Sequence, residues 1–222
     1  MNRLSIFLFC ALVNHAVFAQ PILTIDGVSY TERDFIQDNT HTTNSEQSTT
    51  LISNHIWSKL VEYYAHHHNL SVAHNDVILI NEHLFDQLSK IINTMENQSS
   101  NRDSDQELNN LRMMRDWGIQ NNPEAANMLK AQARTLGLKW YVESHLYKKY
   151  GGKVVAGAEG LVPLEAYHSM FSQYLNSESI FISTRYVDHI LSSTFNENGY
   201  MAVEQQLATD FYETPWWRRD LN

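Results

Sequence analysis

The apolar positions of this chain change period once, early on. Around residues 22–30 the spacing is that of strands: Leu23 and Ile25 flank Thr24, Asp26-Gly27 interrupts, and Val28 and Tyr30 flank Ser29. An Asp-Gly pair between β-branched and aromatic residues predicts a two-residue hairpin turn, because both central positions of that turn need positive φ. Thr31 is a good helix cap, and Asp34 stands three residues on, close to a capping box. From there on the pattern is helical. Residues 38–50 are a polar run that reads as a loop with a helix start near its end.

Residues 51–69 carry Leu51, Ile52, Ile56, Leu60, Tyr64 and Ala65, one buried face at helical spacing, with Asn69 able to close the helix. A short connection leads to Asn75 or Asp76 as the cap of a second helix through Val77, Ile80, Leu84, Leu88, Ile91 and Met95. The short connection predicts that these two helices pack antiparallel. Residues 97–106 are the most polar stretch and read as an exposed, mobile loop. A helix is expected at about 105–117, with Gly118 just past its end. Another opens at Pro123, runs past Trp140 and Leu146, and stops at Gly151-Gly152.

Residues 153–156 read as a short strand and 157–160 as a turn. Pro163 opens a helix carrying Tyr167, Met170, Phe171 and Tyr174. Residues 179–182 read as a strand able to pair with the opening hairpin, and helices are expected near 186–195 and 200–212. The fold class is therefore mainly α with a small β element, formed by the N-terminal and later strands. The domain reading is a single helical domain over 20–222.

Residues 1–19 read differently. Arg3 gives a positive start, residues 4–12 are apolar, and Val17-Phe18-Ala19 supplies small residues where a signal peptidase inspects them. Cleavage after Ala19 and export to the periplasm are expected. Cys10 falls inside this segment, so the remaining chain has no cysteine and must be held by its core alone. Roughly two hundred residues suffice for one such core. The net charge of −9 argues against nucleic acid, whose phosphates need a concentrated basic patch, and against an anionic membrane surface. No later apolar run approaches the length of a stable membrane span.

Catalytic motifs of high specificity are missing. There is no G-x-S-x-G elbow, no phosphate loop and no cysteine nucleophile after Ala19. His66, His67 and His68 are adjacent on a helix and point about 100° apart, so they cannot all face one ion. His66 and His68 are where a metal would be sought, but no metal or other cofactor is expected, because H-E-x-x-H spacing is absent. Aromatic residues are the more informative group. Most belong to the core, and a subset can line a groove for an extended or unfolded polypeptide. The candidates are Trp57, Tyr64, Trp140, Tyr167, Phe171, Trp216 and Trp217. The Trp216-Trp217 pair is expected to lock the C-terminus onto the core, the alternative being an exposed anchor.

The stretch from Ile22 to Phe35 (I-L-T-I-D-G-V-S-Y-T-E-R-D-F) resembles the opening of the SurA-type periplasmic chaperones and parvulin-like prolyl isomerases. Residues 60–77, a helix followed by Asn69-Leu70-Ser71-Val72 and an acidic helix start, resemble the next part of that family's pattern. The resemblance covers about the first third of the chain after Ala19. It implies a chaperone-like helical domain that binds unfolded or extended exported polypeptides without catalysis. The family's isomerase module is not evident: Tyr186 to Leu191 resembles its start only faintly, and thirty-three residues follow His189. That hexapeptide reads as ordinary helix. An assembly subunit binding one folded partner, and a prolyl isomerase, stay open as alternatives.

Overall fold

The computed structural model describes residues 20–36, 45–98, 106, 108–113, 115, 123–157, 160–195 and 200–221. The expected export segment and positions 99–105 of the expected loop lie outside them.

Asp26 and Gly27 take φ of 48° and 80°, joining β1 (Leu23–Ile25) to β2 (Val28–Tyr30) with Ile25 opposite Val28. Leu23 and Ile25 are buried while Thr24 between them turns outward. The other edge of β1 takes β5 (Ile180–Ile182), antiparallel, with Leu23 opposite Ile182 and Ile25 opposite Ile180. The late strand does return to the opening hairpin. After β2 the expected short helix is a single 3-10 turn, Glu32–Asp34. The Thr31 backbone N–H donates to Asp34 Oδ2 at 2.6 Å, and Tyr186 Oη donates to Glu32 Oε1 at 2.6 Å.

Helix α1 (Ser45–His67) starts ahead of the expected position, and the hydroxyls of Thr49 and Thr50 bond back to the carbonyls of Ser45 and Glu46. Polar residues that suit a loop are here absorbed into the first turns by these local bonds. Asn69 closes the helix at φ 53°, and the Leu70 N–H reaches the Ala65 carbonyl at 2.8 Å, a Schellman-type end.

Helix α2 (His74–Gln98) corrects three expectations. It begins before Asn75 and Asp76, so neither is its cap. It runs on through Gln98, past the point where polar composition suggests a loop. It packs chiefly on α3 (Pro123–Tyr150) and not on α1. Gly137 explains the choice of neighbour: a Cβ there would stand 2.9 Å from Ile80 Cδ1 and 2.9 Å from Val72 Cγ1. The missing side chain lets α2 and its connector close onto α3. The described residues between α2 and α3 are helical at 106, 108–113 and 115, with Leu108 buried and Arg112 paired to Glu96 at 2.6 Å.

After Gly151-Gly152, β3 (Val155–Gly157) and β4 (Gly160–Val162) form a second hairpin. Helix α4 (Leu164–Leu175) follows Pro163, and α5 (Thr184–Ser193) follows β5. The hexapeptide from Tyr186 lies within α5, as ordinary helix. Strand β6 (Met201–Ala202) then adds to β3, giving a sheet of order β4-β3-β6, and α6 (Gln205–Glu213) precedes a 3-10 segment, Trp216–Leu221. The sequence pattern foresees neither β4, which starts in the expected turn at 157–160, nor β6, which takes the start of the helix expected at 200–212, so that helix begins only at Gln205.

One core cluster joins the opening sheet to α1, α4 and α5 through Leu23, Ile56, Leu60, Phe171, Ile182 and Ile190. A second joins α1, α3 and α4 through Tyr64, Val142, Leu146, Ala166 and Met170. A third holds α2, α3 and the C-terminal segment through Ile80, Ala133, Trp140 and Trp217. The fold is mainly α with a small β component, as the sequence pattern predicts, but among the described residues the β component is two three-stranded sheets.

Candidate functional site

Three features stand out on this framework: a groove, a C-terminal lock and a histidine-tyrosine pocket. The groove opens between α1 and α3, a space of about 380 Å³ lined by Trp57, Val61, Leu138 and Tyr167, with Ser58, Glu62, Thr135 and Lys139 at its polar margin. Each helix contributes a short stripe at helical spacing: Trp57, Ser58, Val61 and Glu62 from α1, and Thr135, Leu138 and Lys139 from α3. Trp57, Val61 and Leu138 are only half-buried, so their apolar surface faces solvent. The Trp57 ring meets Tyr167 edge-on at 5.2 Å and Phe195 edge-on at 5.5 Å, which fixes its plane. Tyr167 is 6% exposed, and its hydroxyl donates to Glu143 Oε1 at 3.3 Å. Burial first, and then the neighbouring Glu143 carboxylate, push the Tyr167 phenol well above its ordinary range, so it stays neutral beneath the groove.

The lock is built on Asp76. Its side chain is fully buried and accepts from Tyr141 Oη at 2.7 Å, Trp217 Nε1 at 2.9 Å, and Arg218 Nε and Nη2 at 2.9 and 2.7 Å. Burial alone would raise this carboxyl, but the donors from Trp217, Tyr141 and Arg218 outweigh it and hold it below the usual carboxylate range. Trp217 packs edge-on to Trp140 at 5.5 Å, and Trp216 meets Trp217 and the His83 ring. The Trp216-Trp217 tail is thus fastened to α2 and α3, as expected.

The pocket lies between the end of α1 and the face of α4. Tyr64 Oη and His145 Nδ1 are 2.8 Å apart, and the His68 ring stands 4.3 Å from Tyr64 and 4.8 Å from His145. Lys149 Nζ sits 4.9 Å from the Tyr150 ring centre and 5.9 Å from that of Tyr64. His68 is held below the ordinary imidazole range by burial, then by His145, Lys149 and His67. Burial, with Lys149 and Lys148, does the same to His145.

Five of the seven polypeptide-binding candidates lie in the core: Tyr64, Trp140, Tyr167, Phe171 and Trp217 are each 6% exposed or less. Trp57 and Trp216 are half-buried, and they lie on different surfaces. Only Trp57 and Tyr167 are brought together at an open groove. The sequence reading missed Val61, Leu138, Thr135 and Lys139, although the stripes they form were legible as a second, mixed face beside each apolar one. His66 is exposed and takes no part in the pocket, whereas His67 and His68 line it. Among the described residues no three His, Cys, Asp or Glu side chains are grouped to hold a metal ion, and no helix is long and apolar enough to cross a membrane.

The fold and groove define a mainly helical protein with a half-exposed apolar cleft. Comparison with protein-family models, with curated proteins and with solved structures finds no match to this chain.

Proposed function

We propose that this chain is a non-enzymatic, chaperone-like protein of the periplasm that binds extended or unfolded exported polypeptides. The carrying observation is the groove between α1 and α3, where Trp57, Val61 and Leu138 present apolar surface to solvent above the neutral Tyr167. Such a cleft takes an apolar side chain of an extended segment with little regard to its neighbours, because burial is non-directional. Glu62, paired to Lys59 at 2.9 Å, and Lys139 make the margin polar on either side. The likeness of Ile22 to Phe35 and of residues 60–77 to SurA-type chaperones, and the export signal read in residues 1–19, support the same reading.

The test is suppression of aggregation of unfolded outer-membrane proteins at stoichiometric amounts, for the natural chain and for Leu138→Glu. Leu138 is half-buried, so the charge falls on the groove wall rather than in the core. Losing the burial of one leucine-sized contact, about 1.5 kcal/mol or more, predicts roughly tenfold weaker protection in the variant. No protection by the natural chain across several clients would sink the reading, as would equal protection by the variant.

A further inference from the structure

The pocket between α1 and α4 is separate from the groove and independent of the function proposed for it. It encloses about 290 Å³. Its walls divide by chemistry. Tyr63, Tyr174, Met170 and Ile180 supply apolar and aromatic surface, and Lys149, His67 and His68 supply nitrogen donors. Gln173 also lines it; its Oε1 accepts from Tyr150 Oη at 2.6 Å, which leaves the amide NH₂ as that side chain's remaining polar group. The chain has 25 acidic and 16 basic residues, yet among the described residues none of the side chains lining this pocket is acidic. The Asp26 carboxylate, which accepts from Tyr63 Oη at 3.3 Å, stands outside the lining.

We propose that this pocket binds a small organic carboxylate, with Lys149, His67 and His68 facing the carboxylate and Tyr63, Tyr174 and Met170 covering its apolar body. The Lys149 ammonium and the imidazole nitrogens are gathered without an acidic side chain in the pocket lining, and a bound carboxylate supplies the missing counter-charge. An inorganic anion would satisfy the nitrogens but leave the half-buried Tyr63 and Tyr174 surfaces uncovered, so an apolar body decides between the two. Binding is linked to protonation. The groups that face the histidines are Tyr63, Tyr64 and His67 from α1, His145, Lys148 and Lys149 from α3, and Tyr174 from α4; Glu178, in the turn after α4, is exposed. Burial first, and then the positive neighbours, hold His68 and His145 low, and a carboxylate beside them offsets the neighbours' part. Affinity therefore rises as pH falls.

The measurement is a titration of the purified chain with phenylacetate and, separately, inorganic phosphate, followed by the ring signals of the histidines at about pH 5.5 and about pH 8, on either side of the ordinary imidazole value. Phenylacetate is expected to shift the His67 and His68 signals and to bind roughly tenfold more tightly at the lower pH. Lys149→Met, at an exposed position and checked for an unchanged melting temperature, should weaken it roughly tenfold. Phosphate binding as tight as phenylacetate would overturn the organic-carboxylate assignment. No shift with either probe, or unchanged affinity in Lys149→Met with unchanged melting, would overturn the site.

Discussion

Asp76 shows how one residue takes a role that its local sequence does not announce. An aspartate at a helix start suggests a cap, yet its carboxylate points inward and gathers Tyr141, Trp217 and Arg218. Asp76→Asn removes the charge and leaves those donors mismatched, and it should cost about 2–3 kcal/mol in denaturant unfolding. The pH dependence has a definite sign. The folded-state pKa lies below the ordinary 3.8, so this stabilisation is fully present above that value and is lost as pH falls below it through the folded pKa. The acid limb of stability should accordingly flatten in the variant. Gly152 is a second case. At φ 88° a side chain is strained, and a Cβ would meet Glu165 Oε2 at 2.5 Å and its Cβ at 2.7 Å. That carboxylate also accepts from the Lys153 N–H at 3.0 Å. Gly152→Ala should lower stability by about 1–3 kcal/mol, read from the denaturation midpoint. The stop at Gly151-Gly152 was legible in the sequence; the glutamate pressed against it was not, because it arrives from the next helix.

At the scale of elements, the junction of α1 and α3 carries the clearest linkage. His68, just past the end of α1, and His145 from α3 share the Tyr64 neighbourhood, and burial first holds both below the ordinary imidazole range. A base whose folded pKa is depressed favours the fold while neutral. Its contribution is complete above 6.5 and is lost as pH falls from there to the folded pKa values. The double variant His68→Gln, His145→Gln should therefore lose part of the melting-temperature drop that the natural chain shows between neutral and mildly acidic pH. An identical drop in both proteins would place the acid sensitivity elsewhere. Helix existence and most helix ends were legible, since apolar spacing, Pro123, Asn69 and the paired glycines act locally. Helix pairing was not. The connector at residues 70–72 suggested α1 beside α2, and Gly137, sixty-odd residues away, set α2 on α3 instead.

At the scale of the whole molecule, the two ends of the described chain are fastened by different means. The opening hairpin gains β5 as a third strand and is tied by Glu32 to Tyr186 and Arg185. The C-terminal segment is tied by Trp217 and Arg218 to Asp76 and by Arg219 to the carbonyls of Phe211 and Thr214. Ending the chain at Glu213 would uncover Trp140 and strip Asp76 of two of its three partners. The truncated protein should unfold at a clearly lower temperature, with α2 and α3 exchanging amide hydrogens faster than the opening sheet. Uniform exchange throughout would show that the tail is not what holds that half together.

Sequence by itself determined what depends on near neighbours: the Asp26-Gly27 turn, the Thr31–Asp34 bond, the helices and their stops, and a mainly α class with a small sheet. It also favoured Trp216-Trp217 as a lock over an exposed anchor, and the tertiary structure decided between the two. Only the tertiary structure decided which aromatics are filled in and which stay open. Trp140, Tyr64 and Phe171 are as aromatic as Trp57, but neighbouring elements pack over them, while Trp57 faces the gap between α1 and α3. Burial is a property of what packs against a residue, and those partners come from distant parts of the chain. The same holds for Asp76 and for the pocket at His67 and His68, whose members are gathered from helices that no local pattern places side by side.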